Sequence, residues 1–323
     1  MEFLVYIIEA LNHLLLNPVN ISVMIIGAFI GTLSGALPGT TSVSTVAILL
    51  PFSIFMPPDV AINFLLGGYI GEVSGGSISA ILFRIPGSTE AIATMFDGYE
   101  ITRKGRIVEA LTLARFYSLI GGLVGGVLML FATPLLAEFA IKFGPAELFI
   151  LVVMAIAVLS TFEGGFKTLL SIFLGFFLAT IGMDEYTGVS RFTFGIVELE
   201  SGLHLAPLFL GLFAIPEAIR LAMKPPPPPT TTTRFKLGGF MFPSYSFFKQ
   251  SLPLIFLLAI PIGFLIGVLP GIGATTAAIY AYIMAKGTSR NPEKYGTGVP
   301  EGVAVPEAAN NAAAMGTLVP TLA

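Results

Sequence analysis

Gly31-Thr-Leu-Ser-Gly-Ala-Leu-Pro-Gly39 and Gly263-Phe-Leu-Ile-Gly-Val-Leu-Pro-Gly271 carry one apolar motif twice, 232 residues apart. Each copy runs into Leu-Pro-Gly and resumes as helix-forming sequence opening on small and hydroxyl side chains. The first N–H groups of a helix that starts after such a break lack intrahelical acceptors. The helix dipole adds roughly half a positive charge there. An anionic group such as a carboxylate can therefore be held without a buried arginine. The anion-binding candidates are Pro38, Gly39, Thr40, Thr41 and Ser42 at the first break, and Pro270, Gly271, Gly273 and Thr275 at the second. Two such ends meeting near the bilayer midplane would clamp a molecule with more than one carboxylate. The same hydroxyls also suit helix capping, which is compatible with binding.

A second chemistry rests on carboxylates. Gly71-Glu72-Val-Ser-Gly-Gly-Ser77 interrupts an apolar segment with a charge. At membrane depth a charge is unfavourable by about 2.5–3.5 kcal/mol on insertion scales, and such residues are usually functional. Glu72 is read as the ligand of a coupling cation or as a proton carrier, with Gly75, Gly76 and Ser77 facing substrate. The competing reading places Glu72 at the outer interface or beside a base. The expected counterpart of Glu72 is Glu307. Asn310 and Asn311 follow it, and their carbonyls suit sodium, a hard cation that takes oxygen ligands.

Lipid is the solvent for the elements that position these groups. The chain is 55% hydrophobic and 11% charged, where soluble domains carry about 25% charged residues. Apolar segments are expected at about 3–16, 20–36, 41–56, 60–82, 108–137, 146–161, 168–182, 204–222, 250–269, 273–286 and 302–323. Several fall short of the roughly 20 residues a full span needs, so some are half-helices or re-entrant pieces.

Basic clusters at Arg84–Arg115, Arg220–Lys249 and Lys286–Lys294 are read as cytoplasmic. The helix after the first Leu-Pro-Gly then ends outside and the helix after the second ends inside. The expected fold class is an all-α polytopic membrane protein built of inverted-topology repeats with Pro-Gly-broken, discontinuous or re-entrant helices. The units are 1–222, with the break at 35–41; a Pro/Thr-rich cytoplasmic linker, 223–249, containing a polyproline run; and 250–323, the start of an incomplete second unit. Asp97 and Arg103–Arg106 are placed in a solvated loop. Gly121, Gly122, Gly125 and Gly126 allow close helix approach, either within the chain or to another membrane subunit.

Other classes fit poorly. Net charge of −3 implies no nucleic-acid partner, and with no cysteine there is no disulfide or thiolate site. His13 and His204 lie far apart, and no nucleophile–base pair or metal motif is present. The chain is expected not to be an enzyme and to have no cofactor.

Several stretches resemble the large membrane subunit of tripartite tricarboxylate transporters, the TctA family. They are Gly35-Ala-Leu-Pro-Gly39, Ala47-Ile-Leu-Leu-Pro-Phe52, Gly67-Gly-Tyr-Ile-Gly71, Gly75-Gly-Ser-Ile-Ser-Ala-Ile-Leu82, Ile85-Pro-Gly87, Asp97-Gly-Tyr99, Thr187-Gly-Val-Ser-Arg-Phe-Thr-Phe-Gly195 and Glu301-Gly-Val-Ala-Val-Pro-Glu-Ala-Ala-Asn-Asn311. Members of that family are longer, and this chain stops inside the second unit. The resemblance implies a secondary transporter subunit of the bacterial inner membrane that imports a citrate-like di- or tricarboxylate. It also implies sodium or proton coupling, a small membrane subunit and a periplasmic substrate-binding protein as partners. It favours Pro86 and Gly87 as a third substrate-facing turn. The alternatives are a carboxylate channel or passive exporter, and a membrane scaffold for a binding protein.

Overall fold

The computed structural model describes residues 17–140, 166–184, 187–204, 207–208, 210–223, 242–269 and 273–319, with single positions between 144 and 156. The expected segment 3–16, residues 224–241 of the linker, and Pro270 with Gly271 lie outside the described residues. Among the described residues four helices are long and apolar enough to cross a bilayer: Pro18–Gly35, Pro58–Phe83, Ile107–Thr133 and Tyr245–Val268. The remaining elements are almost all helical, so the chain is an all-α polytopic membrane protein.

Helix α1 spans Pro18–Gly35, α2 Ser42–Ser53, α3 Pro58–Phe83, α4 Ile92–Arg103 and α5 Ile107–Ala140. Helix α6 spans Phe166–Ala179. A short antiparallel pair, β1 Gly182–Met183 and β2 Ser190–Arg191, follows it. Helix α7 is Ile215–Met223 and α8 is Tyr245–Leu254. Helix α8 continues through a π turn, Ile255–Ala259, into α9, Ile260–Val268. The π turn lies between Pro253 and Pro261, where missing N–H groups dislocate the hydrogen-bond ladder. Helices α10, Gly273–Thr288, and α11, Glu301–Gly316, complete the described fold.

Glycines set the packing of α1 on α3. A Cβ at Gly27, Gly31 or Gly35 would land on the carbonyl oxygens of Phe64, Gly68 or Glu72. A Cβ at Gly67, Gly71 or Gly75 would land on those of Met24, Ala28 or Thr32. Two facing ridges with four-residue spacing thus bring the backbones into contact, as small residues do in membrane helix pairs. The other faces of α1 carry exposed Ile25, Phe29 and Leu33, suited to lipid.

These contacts also fix direction. Their numbers rise together, so α1 and α3 are parallel. Helix α2 runs back, with Ser42 at Glu72 and Leu49 at Gly68. Helices α1 and α2 therefore form a hairpin whose tip is the Leu-Pro-Gly break. At 12 residues, α2 is about 18 Å long, too short to span the roughly 30 Å of hydrocarbon.

The same kind of glycine contact recurs between α9 and α11. Cβ atoms at Gly263 and Gly267 would land on the carbonyls of Ala309 and Ala313, so α9 and α11 are parallel. Between the units the numbers run oppositely. Tyr69 meets Thr317 and Ser74 meets Asn311, while Ser77 reaches Glu307. Helices α3 and α11 are therefore antiparallel.

Three expectations need correction. Residues 92–103 form a helix, and Asp97 is fully buried in it rather than solvated, although Arg103, Lys104 and Arg106 are exposed or half-exposed. Arg115 does not belong to a surface basic cluster: it lies within the third candidate span and donates to the Ser74 carbonyl, 2.9 Å away. The contact register pairs Glu72 with Ala313, not with Glu307, as the position opposite the last glycine of each ridge. The glycines of α5 make an internal contact: Gly121 and Gly125 press on Ala308 and Ala312 of α11, and Gly122 and Gly126 have Asn311 and Met315 of α11 as their neighbours.

Gly31→Val should be destabilised by at least the roughly 1–3 kcal/mol typical of overpacking, because the obstacle is backbone. Gly175→Ala, where a Cβ meets open space, serves as control. Thermal unfolding of both variants in detergent checks this; equal melting temperatures would contradict the ridge.

Candidate functional site

At the first break the chain turns through Gly39 at φ 88°, a left-handed conformation that favours glycine. Thr40 Oγ1 bonds the Ser34 carbonyl at 2.8 Å and so closes the tip. Thr41 caps α2. Its Oγ1 accepts from Ser44 N, and Ser44 Oγ accepts from Thr41 N. This reciprocal pair occupies two groups that the sequence reading offered to a ligand.

The turn after α3 folds back into the protein. Arg84 ends α3 at φ 58°, with its guanidinium over the Tyr99 ring. The chain then climbs along α3, with Gly87 N bonding Gly76 O at 3.2 Å and Gly39 N bonding Gly87 O at 2.9 Å. Pro86, Gly87 and Ser88 are buried. A Cβ at Gly87 would strike the Gly35 carbonyl, so the two tips touch through backbone. Thr275, on the first turn of α10, donates to Thr89 Oγ1 at 2.8 Å. The Ile85–Thr89 turn thus lies between the first break and the start of α10, bonded to Gly39 on one side and Thr275 on the other. Gly273 adopts φ 71° with open space where a Cβ would point.

Glu72 is fully buried on α3. Ser42 Oγ donates to its Oε2 at 2.6 Å, while Oε1 has no partner. The protein's own carboxylate therefore stands at the start of α2, where the sequence reading put a ligand anion. Gly75 packs against Thr32, and Gly76 lies under Ser88, not beside open space. Ser77 is turned to α11.

The Glu307 carboxylate is also fully buried, but it is saturated. Thr94 of α4 donates to Oε1 at 2.7 Å and Ser118 of α5 to Oε2 at 2.6 Å. Ser77 is within reach, sharing its hydroxyl with the Ser74 carbonyl. Arg115 lies close enough to balance the charge. Asn311 bonds the Glu307 carbonyl and accepts from Ser74, while Asn310 Oδ1 has no partner. Sequence reasoning missed Arg115, Thr94 and Ser118. A usable signal existed, since intramembrane charges pair across helices.

Asp97 joins α4 to the loop before α11. Its oxygens accept from Gly296 N, Gly298 N, Val299 N and the Tyr282 hydroxyl at 2.7–3.0 Å. Burial, followed by the Glu301 and Asp97 carboxylates, raises the Tyr295 hydroxyl well above its usual range. This tyrosine stays neutral while packing edge-on against Tyr282. Among the described residues no group of three or more His, Cys, Asp or Glu side chains could hold a metal ion.

Glu307→Ala would strand Arg115 and two hydroxyls. The expected loss is about 1–3 kcal/mol, the range for leaving buried hydrogen-bonding groups unsatisfied. Adding Arg115→Met should recover part of it. A double-mutant cycle by chemical denaturation in detergent checks this; strict additivity would deny the coupling.

Comparison with known proteins places this geometry in a family. The family described as "Tripartite tricarboxylate transporter TctA family" matches residues 21–323. An uncharacterized 52.8 kDa protein of the TAR-I ttuC′ 3′ region of Agrobacterium vitis is 38% identical over 309 residues, covering 95% of this chain and 61% of the relative. A second uncharacterized protein, from the TAR-II ttuC′ 3′ region of the same organism, is 50% identical over 60 residues, 19% of this chain and 25% of the relative. The chain thus spans about three fifths of the length of the first relative. No solved structure matches. The match along nearly the whole sequence means that the chain belongs to the tripartite tricarboxylate transporter TctA family.

Proposed function

We propose that this chain forms the translocation core of a secondary active transporter of the bacterial inner membrane. It imports a citrate-like di- or tricarboxylate delivered by a periplasmic binding protein, together with a small membrane subunit. Residues 223–249 form the cytoplasmic linker. Family membership supports the transporter class. The antiparallel arrangement of the α1–α3 and α9–α11 units supports an inverted repeat, the design of many secondary transporters.

The observation that carries the reading is the convergence of the first break and the start of α10 on one turn, through Gly39–Gly87 and Thr275–Thr89. Substrate carboxylates bind around Pro38, Gly39, Thr40, Ser42, Pro86, Gly87 and the α10 start. Non-helical backbone at membrane depth persists where it lines a cavity or is buried in protein. Glu72 supplies coupling. An ionised Glu72 at Ser42 repels a second carboxylate from the α2 N-terminus. A sodium ion or proton on the partnerless Oε1 removes that repulsion. Substrate and cation then enter together, which is symport. Glu307 contributes by fixing the interface between the units, with its charge already balanced by Arg115.

Uptake of radiolabelled citrate tests this in cells expressing the full-length subunit with its small subunit, with and without the binding protein, in sodium and potassium buffers. Uptake should require the binding protein and a coupling cation. Glu72→Gln should remove the cation dependence while leaving membrane abundance unchanged. Uptake indifferent to sodium and to pH, in wild type and variant alike, would favour a channel.

A further inference from the structure

Two connections meet at one end of the molecule. Lys104 Nζ donates to the Thr297 carbonyl at 2.5 Å, which joins the Arg103–Arg106 corner to the 289–300 connection between α10 and α11. The arginines of the first are engaged: Arg103 pairs with Glu100 and Arg106 with Glu109. Arg290 and Lys294, on the second, are exposed, and among the described residues neither has an ion pair. Glu293, exposed on the same short turn as Lys294, pairs with neither.

Both bases line a cavity of about 670 Å³ between the first turns of α8 and the last turn of α10. Glu301, the first residue of α11, lines it as well, beyond ion-pair distance of either base. Two bases and one carboxylate, held apart in one cavity, match a molecule that carries both a phosphate and an amine. Guanidinium and ammonium groups suit phosphate oxygens. The carboxylate disfavours a purely anionic occupant and attracts an ammonium, as does the C-terminal end of α10. The connection is ordered by its own contacts. Ser289 Oγ accepts from Asn291 N at 3.1 Å, Thr297 Oγ1 donates to Lys294 O at 2.7 Å, and Asp97 gathers the amides of Gly296, Gly298 and Val299. Backbone that is already ordered loses little entropy on binding.

Part of the lining is apolar, from Leu254 and Ala285. Helix α8 opens a candidate membrane span, Tyr245–Val268, and Leu257, three residues beyond Leu254, is 80% exposed. An acyl chain leaving the cavity along α8 meets that apolar surface, which a soluble phosphate compound would not use. We propose that the cavity holds the headgroup of one phospholipid with a primary amine, phosphatidylethanolamine, its phosphate on Arg290 and Lys294, its ammonium at Glu301 and its acyl chains along α8. Basic pockets between membrane helices hold lipid headgroups in the same way. A lipid seated there ties α8 to α10 at the membrane surface. This site is separate from the hairpin tip and stands without the transport reading.

Native mass spectrometry of the purified subunit, delipidated in detergent and titrated with phosphatidylethanolamine, tests the site. One lipid per chain should be retained, more tightly than phosphatidylglycerol with the same acyl chains. Arg290→Gln and Lys294→Gln should each weaken it about fivefold, equivalent to about 1 kcal/mol per base. Glu301→Gln should erase the preference for the amine-bearing lipid. Lys167→Gln, at an exposed base outside the cavity, should match wild type, and melting temperatures should confirm that every variant folds. Equal retention by wild type and the three cavity variants would overturn the site and leave only unspecific annular lipid. Phosphatidylglycerol bound as tightly as phosphatidylethanolamine, with no effect of Glu301→Gln, would overturn the assignment of the amine. Soluble phosphoethanolamine bound as tightly as the lipid would overturn the lipid source.

Discussion

Glu307 carries a carboxylate to a position that water does not reach, and hydroxyls from three helices of the other unit converge on it. An isolated charge in that environment would be strongly unfavourable. The fold compensates by aligning Ser77, Thr94 and Ser118 and by bringing Arg115 alongside. Each donor comes from a separate element, so α3, α4 and α5 are all referenced to one atom group on α11. This is an interface specified by polar geometry, because apolar packing alone gives little directional preference between helices in lipid.

From that reference the rest follows in layers. Backbone contact at the glycine ridges seats α1 on α3 and α9 on α11. The Ile85–Thr89 turn fills the space between the first tip and the start of α10. Asp97 performs the corresponding task near the other end of α11, ordering the Gly296–Val299 backbone with its two oxygens. The contrast between the buried acids is instructive. Glu307 and Asp97 are saturated with donors and act as fixed points. Glu72 keeps one oxygen unpartnered, and it stands at a helix start where a change in its charge alters what else can bind.

Much of this was legible in the sequence. Leu-Pro-Gly after Gly-x3-Gly marked two places where a helix ends, at Gly35 and Val268, and Glu72 stood out within an apolar segment where the structure buries it. The lipid class followed from composition alone. Other features were hidden for physical reasons. Helix α4 contains Asp97, Gly98 and Glu100 and reads as a loop, because its stability comes from tertiary burial rather than from propensity. Arg115 follows four bases along the chain, and only the fold shows that it points inward. Equivalence of Glu72 and Glu307 looked natural by analogy. The connection between α10 and α11 is longer than that between α2 and α3, however, so the ridge register puts Ala313 in the equivalent place.

Gly87 bonds Gly39 at the first tip and Thr89 bonds Thr275 at the start of α10, so the Ile85–Thr89 turn joins α10 to that tip. The chain has no cysteine, so Thr89→Cys and Thr275→Cys can be introduced as a clean pair. The two hydroxyls lie 2.8 Å apart, so mild oxidation in native membranes should yield an intramolecular disulfide in that double variant. Pairing Thr275→Cys instead with Ser246→Cys, near the start of α8, should yield none. Failure of the Thr89–Thr275 pair to cross-link in folded protein, with spin labels at the two positions reporting wide separation, would contradict the account.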